Sequence, residues 1–465
     1  MTAWDLDDGV LREVLSEALA TGGDFAEIFA ENRDSMSVRL EDRKVEELVA
    51  GRDRGAGIRV VKGESTAFAF TNRLDRGALV DAAKAAAAGL TDQRLVDVQD
   101  LRREPETVLN PVRIDAREVP ADRKVAYVVA LDEAARAEGG GEIRQVIGSY
   151  VEGSQRVLIA NSDGLIVRDN RTRTRVSCQV VAARGDVIQT GFHSPGASAG
   201  FEHLDAHPAD FVGRFAARQA IAMLGSIPAP AGEMPVVLAP GGGGVLFHEA
   251  CGHGLEADLC HKHASVYRDR KGEKIGSELV SGVDEGNVPG SWGSFAFDDE
   301  GTPSQRTMLF ENGVLTGYMT DRIRSRAMDL KQSGNGRRQS YAHLPIPRMT
   351  NSSILPGSDD PGEIVRQTKK GLYAKSFGGG QVNTATGDFV FGLTEAYLIE
   401  GGELTTPVRG ANLIGNGPEI LARIDAVGSD FEVWWGVCGK DGQGVPVTTG
   451  MPTVRISKIT VGGTG

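Results

Sequence analysis

Three stretches of this chain place a two-residue turn between strand-like runs, and they commit much of it to antiparallel sheet. Asp163-Gly164 divides QRVLIANSDGLIVRDN, Asn312-Gly313 divides TMLFENGVLTGYM, and Gly401-Gly402 divides FVFGLTEAYLIEGGELTTPV. Such pairs tolerate the backbone of a tight hairpin, and their flanks give each strand a face to bury. The 61 glycines are spread through turns and form no low-complexity tract. Residues 26–48 and 54–72 alternate in short bursts that also read as strands.

Helical periods lie between these strands. Residues 6–21 carry Leu11, Val14, Leu15 and Ala18 at helical spacing. Residues 76–90 are helical by alanine content and stop near Gly89. Residues 121–140 and 209–226 repeat the pattern, and 105–120 read as a connector. The proline and glycine density of IPAPAGEMP marks a boundary near residues 226–235. The fold expected is α+β. An α/β sandwich-like domain spans residues 1–230, and a β-rich domain carrying the motif helix spans 231–465. A length of 465 residues fits two or three domains.

A net charge of −12 argues against sequence-independent nucleic-acid binding, which needs a basic face. A local basic patch around Arg171, Arg173 and Arg175 stays open. The N-terminus has no basic region before an apolar run, so no signal peptide is expected. No window approaches 18 uninterrupted apolar residues, so no membrane span is expected. Four scattered cysteines suit a reducing cytoplasm better than a disulfide framework.

The chemistry concentrates in GVLFHEACGHGLEAD, where His248-Glu249 is followed by His253. In H-E-x-x-H the histidines stand four apart and share a helix face. Here they stand five apart, about 500° of rotation, which leaves them roughly 140° from one another on a regular helix. Sharing one metal therefore requires a changed backbone. A π-type widening at Cys251-Gly252 would supply it, because glycine relaxes backbone limits.

A zinc peptidase site needs three protein ligands and an open position. His248 and His253 are two. Glu256, Asp258, Cys251, Cys260, His261 and His263 are nearby candidates for the third, and Cys438 is a distant one. Cys178, inside RVSCQVV, reads as a small buried residue. Cys438, between Gly436 and Gly439 in GVCGKDGQ, looks exposed and least like part of a core strand. PGGGGVLF lacks the Gly-Lys-Ser/Thr of a phosphate loop, and FGGGQ lacks the setting of a dinucleotide site.

FHEACGHGLEAD, SGNGRRQSYAHLPIPRMTN, GGGQVNTATGDFVFGLTEAYLIE, GANLIGNGPEIL and GVCGKDGQ together closely resemble the TldD side of the TldD/TldE (PmbA) metallopeptidase family. The first half matches more loosely, through GDFAEIFAE, LEDRKVEEL and GAGIRVVKGESTAFAFTN. The resemblance implies one zinc ion bound by His248, His253 and Cys438, with Glu249 as catalytic base. It implies a catalytic-type chain, because the TldE-type partner lacks the histidine motif. It also implies extended peptide substrates, leader peptides of modified natural products among them. A dimer enclosing the active site is implied too, either a homodimer or a heterodimer with a TldE/PmbA-like subunit.

In that chemistry the zinc acidifies a water, and Glu249 takes its proton and passes it to the leaving amine. Candidate oxyanion donors are Tyr341, His343, or the amides of Gly378, Gly379 and Gly380. Arg337 and Arg338 either hold a substrate carboxylate or pair on the surface. Asp298 and Asp299 are candidate partners of a metal histidine. Two rivals share the ligands. A metal-dependent amidase on a small non-peptide substrate predicts a closed round pocket. A structural metal site in a partner-binding subunit predicts a closed four-ligand shell, completed for example by Glu256 or Cys251.

Overall fold

A computed structural model describes residues 3–90 and 96–463. The chain is α+β, with strands organised in three large sheets. The first sheet is built wholly from residues before 198, with the antiparallel strands Phe25–Glu41, Lys44–Lys62, Ser65–Thr71, Ile143–Asn161 and Leu165–Arg184 as its body. Helices Asp8–Ala18 and Arg76–Ala88 cover Ala26, Ile28 and Ala30 on one of its faces. Helices Ala121–Gly139 and Ala209–Met223 cover the other end of that face, over Val38 and Leu40. These helices fall where the apolar period places them.

The strands are longer than their sequence pattern suggests. Residues 26–48 read as short bursts, yet Phe25–Glu41 is one strand of 17 residues paired to a strand of 19. Its first seven residues are all buried, so both faces carry core or paired residues and the alternation disappears. The hidden face, with Phe29, packs on Ala296, Phe297 and Tyr341 from the second half of the chain.

That seam is charged. Arg59, 1% exposed, bridges Glu27 at 2.8 Å and Glu300 at 2.6 Å. Arg338 also donates to Glu27. Arg171 pairs with Asp169 at 2.9 Å and Asp299 at 2.6 Å. Arg173 donates to the carbonyls of Trp292 and Ser294, and Arg175 to Ser194 Oγ. The anticipated basic patch is therefore an internal set of cross-links: Asp169 and Ser194 are local partners, and Asp299, Trp292 and Ser294 arrive from more than a hundred residues away.

The second half builds two sheets around one core. An eight-stranded sheet includes Gly232–Leu238, Lys370–Asn383, Asp388–Glu400 and Val454–Gly462. A six-stranded sheet runs from the Val314–Leu315 edge to the Glu432–Lys440 edge. The hairpins at Asn312-Gly313 and Gly401-Gly402 form as their turn residues dictate, with positive φ at all four positions. Leu246, Phe247, Ala250, Cys251 and Leu255 lie in the core shared by both sheets, so the motif segment is packed between them. Among the described residues no helix is long and apolar enough to cross a membrane.

Candidate metal centre

The motif segment is a helix that changes pitch. Gly244–Phe247 is α-helical, His248–Gly252 is a π-turn, and His253–Leu255 is a 3₁₀ turn. The His253 amide bonds back to the His248 carbonyl, five residues earlier. This is the widening that the five-residue spacing requires. It brings the two imidazoles together, with ring centroids 5.2 Å apart and planes at 84°. Gly252 is needed for a second reason: a Cβ there would lie 2.1 Å from Met349 Sδ.

The glycine run before the motif threads the chain between two strands. Gly241, at φ +72°, passes against Glu432 and the Val433 carbonyl, and Gly242 passes against the Lys375 carbonyl. The motif helix therefore starts between Lys370–Asn383 and Glu432–Lys440, and Cys438 on the latter faces it.

His248, His253 and Cys438 each offer a ligand atom, and these atoms lie within 4.8 Å of one another. Cys438 Sγ is 3.4 Å from His253 Nε2. A tetrahedral cation at about 2.1 Å from nitrogen and 2.3 Å from sulfur separates such a pair by about 3.6 Å. His248 Nδ1 is buried with no hydrogen-bond partner. The donor set thus fits a cation of zinc's size and softness. Cys438 is 5% exposed, so its exposed look in the sequence was misleading. Its glycine neighbours belong to a sheet-edge strand, and the thiol points inward at the histidines.

The electrostatics of the four cysteines separates one from three. Burial pushes Cys178, Cys251 and Cys260 up to about 12. Burial opposes ionisation of Cys438 as well, but His248 and His253 beside it outweigh that and bring it down to about 4. Cys251 accepts from the Tyr267 hydroxyl at 3.4 Å, and Cys260 donates to the Gly254 carbonyl at 3.2 Å. Neither belongs to the cluster. His261 pairs with Glu64 at 2.8 Å, away from it.

Behind the cluster lies a buried charged relay. His253 Nδ1 is 3.0 Å from Glu256 Oε2, which leaves Nε2 free to face Cys438. Burial raises the Glu256 pKa, but Lys440, His253 and Arg348 overcome this and hold it at about 2. Lys440 Nζ reaches Glu256 at 3.0 Å and Asp258 at 2.6 Å. Arg348, fully buried, donates to the Cys438 carbonyl at 2.6 Å and so fixes the thiol's strand. Glu256 is thus the partner of a histidine, the role for which Asp298 and Asp299 were candidates. Asp298 instead accepts from the amides of Glu300, Thr302 and Gly336, and Asp299 holds Arg171. Lys440 and Arg348 carry no role in the sequence reading. Lys440 had a local signal, since it stands two residues after Cys438 on the same strand face.

Glu249 stands on the solvent side, its side chain 27% exposed and its Oε2 3.7 Å from His253 Nε2. With His253 it borders an open cleft whose walls include Gln381, Val382, Thr384, Gly439, Lys440 and Asp441. Gly379 and Gly380 are exposed on Lys370–Asn383, immediately before Gln381. Tyr341 and His343 lie elsewhere. The Tyr341 amide donates to Glu31 and its hydroxyl is 3.3 Å from Asp53, at the seam with the first sheet. His343 Nδ1 is 2.8 Å from Ser340 Oγ. Arg337 and Arg338 are buried, so they form no surface pair. Arg337 donates to the carbonyls of Met349 and Pro446, and Arg338 to Glu27 and the Asp299 carbonyl.

Comparison with known proteins agrees along the whole chain. Residues 231–463 match the PmbA/TldA metallopeptidase C-terminal domain, 114–224 the central domain, and 26–89 domain 1. A metalloprotease TldD homolog of Haemophilus influenzae is 39% identical over 453 residues, covering 95% of this chain and 93% of that protein. A metalloprotease of Methanothermobacter thermautotrophicus is 35% identical, covering 99% of this chain and all of its own. The crystal structure of TldE from Thermococcus kodakarensis superposes with a TM-score of 0.79, covering 98% of this chain and 100% of that one; at 19% identity it speaks for the fold. The chain belongs to the PmbA/TldD metallopeptidase family, on its TldD side.

Proposed function

We propose that this protein is a zinc-dependent peptidase that hydrolyses unfolded or small peptides in the cytoplasm. The observation that carries the proposal is the convergence of His248, His253 and Cys438 beneath an open cleft, with Glu249 on its wall. Two imidazoles and a thiolate suit zinc among the divalent ions, and a zinc ion held there supplies a Lewis acid that polarises a carbonyl and acidifies water.

The chain's own residues do the rest. The Glu249 carboxylate takes the proton of the attacking water and delivers it to the leaving amine nitrogen. Glu256 fixes the His253 tautomer, accepting from Nδ1 so that Nε2 keeps its lone pair for the ion. Arg348 and Lys440 hold the thiol strand and Glu256 in register. Exposed backbone at Gly379 and Gly380 lets an extended substrate approach closely and offers amide donors for the developing oxyanion. Neither Glu256 nor Cys251 joins the converging donors, since Glu256 Oε2 sits on His253 Nδ1, away from Cys438, and Cys251 accepts from Tyr267; this favours catalysis over a closed structural shell. The open cleft favours a chain-like substrate over a compact amide. A pairing, with a second copy or with a TldE/PmbA-like subunit, is part of the same proposal.

Two results test it. Removing metal with a chelator abolishes cleavage of an unstructured peptide, and stoichiometric zinc restores it. Cleavage that persists after metal analysis shows the ion gone would sink the proposal. Glu256→Gln weakens zinc binding about 10–100-fold, read by competition with a chromogenic chelator. An unchanged affinity would remove Glu256 from its role behind His253.

A further inference from the structure

Two cavities lie along the same pair of strands, one beside the His248–His253–Cys438 cluster and one further along. Glu432–Lys440 is an edge strand of its sheet. Lys370–Asn383 pairs on one side along its length, but its other side is paired only at Leu372, Tyr373 and Ala374 among the described residues. Near the cluster, Gln381 and Val382 of one strand share the cleft with Gly439 and Lys440 of the other. Further along, Phe377 and Trp434 share a cavity of about 320 Å³.

The walls of this cavity have a definite chemistry. Phe192, Phe377 and Trp434 provide aromatic surface, with Thr190, Thr394 and Gln219 among the polar lining; no charged residue takes part. Phe192 is 39% exposed, a large apolar face left in contact with water. Trp434 stacks on Trp435 at 5.8 Å and 7°, which fixes the plane of its ring. The Gln219 oxygen accepts from the Phe192 amide at 2.7 Å, so its NH₂ end is the one left to donate. Aromatic walls with fixed geometry favour an incoming ring. A charged side chain would lose its hydration and find no counter-charge. The edge carbonyl of Gly436 already accepts from Trp292 Nε1 at 3.1 Å, so recognition at this end falls to side chains more than to main chain.

The register sets the distance. Side chains alternate along a strand, so Trp434, Gly436 and Cys438 share one face. Four residues at about 3.3 Å each put Trp434 roughly 13 Å from Cys438. An extended peptide covers the same span with four of its own residues. We propose that the cavity bounded by Phe192, Phe377 and Trp434 is a side-chain subsite, selecting an aromatic residue of the substrate four residues from the scissile bond. The proposal rests on the peptidase function proposed above.

The test uses the zinc-loaded protein and unstructured peptides in which a single phenylalanine is moved along a fixed sequence. Cut sites are read by mass spectrometry. Phenylalanine four residues from the cut lowers KM about tenfold relative to alanine, with kcat little changed, and aspartate or lysine there gives no gain. Thr190→Trp fills the cavity from an exposed strand and brings the phenylalanine-to-alanine ratio of kcat/KM from about ten to about one. Trp434→Phe keeps most of the preference. A KM indifferent to the position of the ring, or a preference that survives Thr190→Trp, would overturn the subsite. Binding of the same peptides to the Glu249→Gln protein separates the two proposals. A ring preference in binding without cleavage by the unmodified protein refutes the peptidase and retains the cavity. Cleavage without ring preference refutes the cavity alone.

Discussion

A Glu249→Gln protein holds its zinc at full occupancy and cleaves peptides about 10²–10⁴-fold more slowly than the unmodified chain. The substitution keeps the size of the side chain and removes only its capacity to accept a proton. Occupancy is untouched because Glu249 is not one of the three converging donors. Its carboxylate is partly exposed on the cleft wall, 3.7 Å from His253 Nε2, and so faces the side from which a substrate would enter. Metal analysis and single-turnover cleavage of one peptide, run on the same preparation, make the comparison. Cleavage at the original rate with metal bound would place the proton acceptor elsewhere and remove the mechanism proposed here.

Cys438→Ala has the opposite signature, because the protein loses the ion itself. Two imidazoles remain, and the only cysteine whose pKa falls is gone. The loss of affinity exceeds the 10–100-fold expected for removing a partner behind a ligand, and cleavage disappears with the metal. The fold survives, since Arg348 grips the Cys438 backbone carbonyl and not its thiol. Unchanged far-ultraviolet dichroism beside zinc content near zero is the expected pair of results. Zinc at full stoichiometry in this variant would mean another third donor. Cys251 and Cys260 are poor alternatives, each tied to its own hydrogen-bond partner.

What could be read from the sequence was what depends on neighbours along the chain. The five-residue spacing of His248 and His253 demanded a widened turn because helix rotation per residue is fixed, and a π-turn is there. Asn312-Gly313 and Gly401-Gly402 were legible because positive φ is a local requirement. Burial by distant elements was not legible. Phe25–Glu41 lost its alternation because both faces are covered. Cys438 looked exposed among glycines, and only the approach of the motif helix buries it. Arg338 finds Glu27 across 311 residues and Arg171 finds Asp299 across 128, so the sequence around each arginine did not reveal these long-range partners.

The seam of buried ions also decides how the molecule comes apart. A chain cut near residue 230 would part Arg59 from Glu300, Arg171 from Asp299 and Glu27 from Arg338, leaving Glu300, Asp299 and Arg338 on the second fragment without these partners. Removing one partner of a single such pair costs about 3–5 kcal/mol, a large part of what holds a domain folded. The proline-rich junction is therefore a division of the sequence but not of the melting behaviour. Heating should take the whole chain through one transition, with added zinc raising the melting temperature of the first sheet as much as that of the sheets around His248, His253 and Cys438.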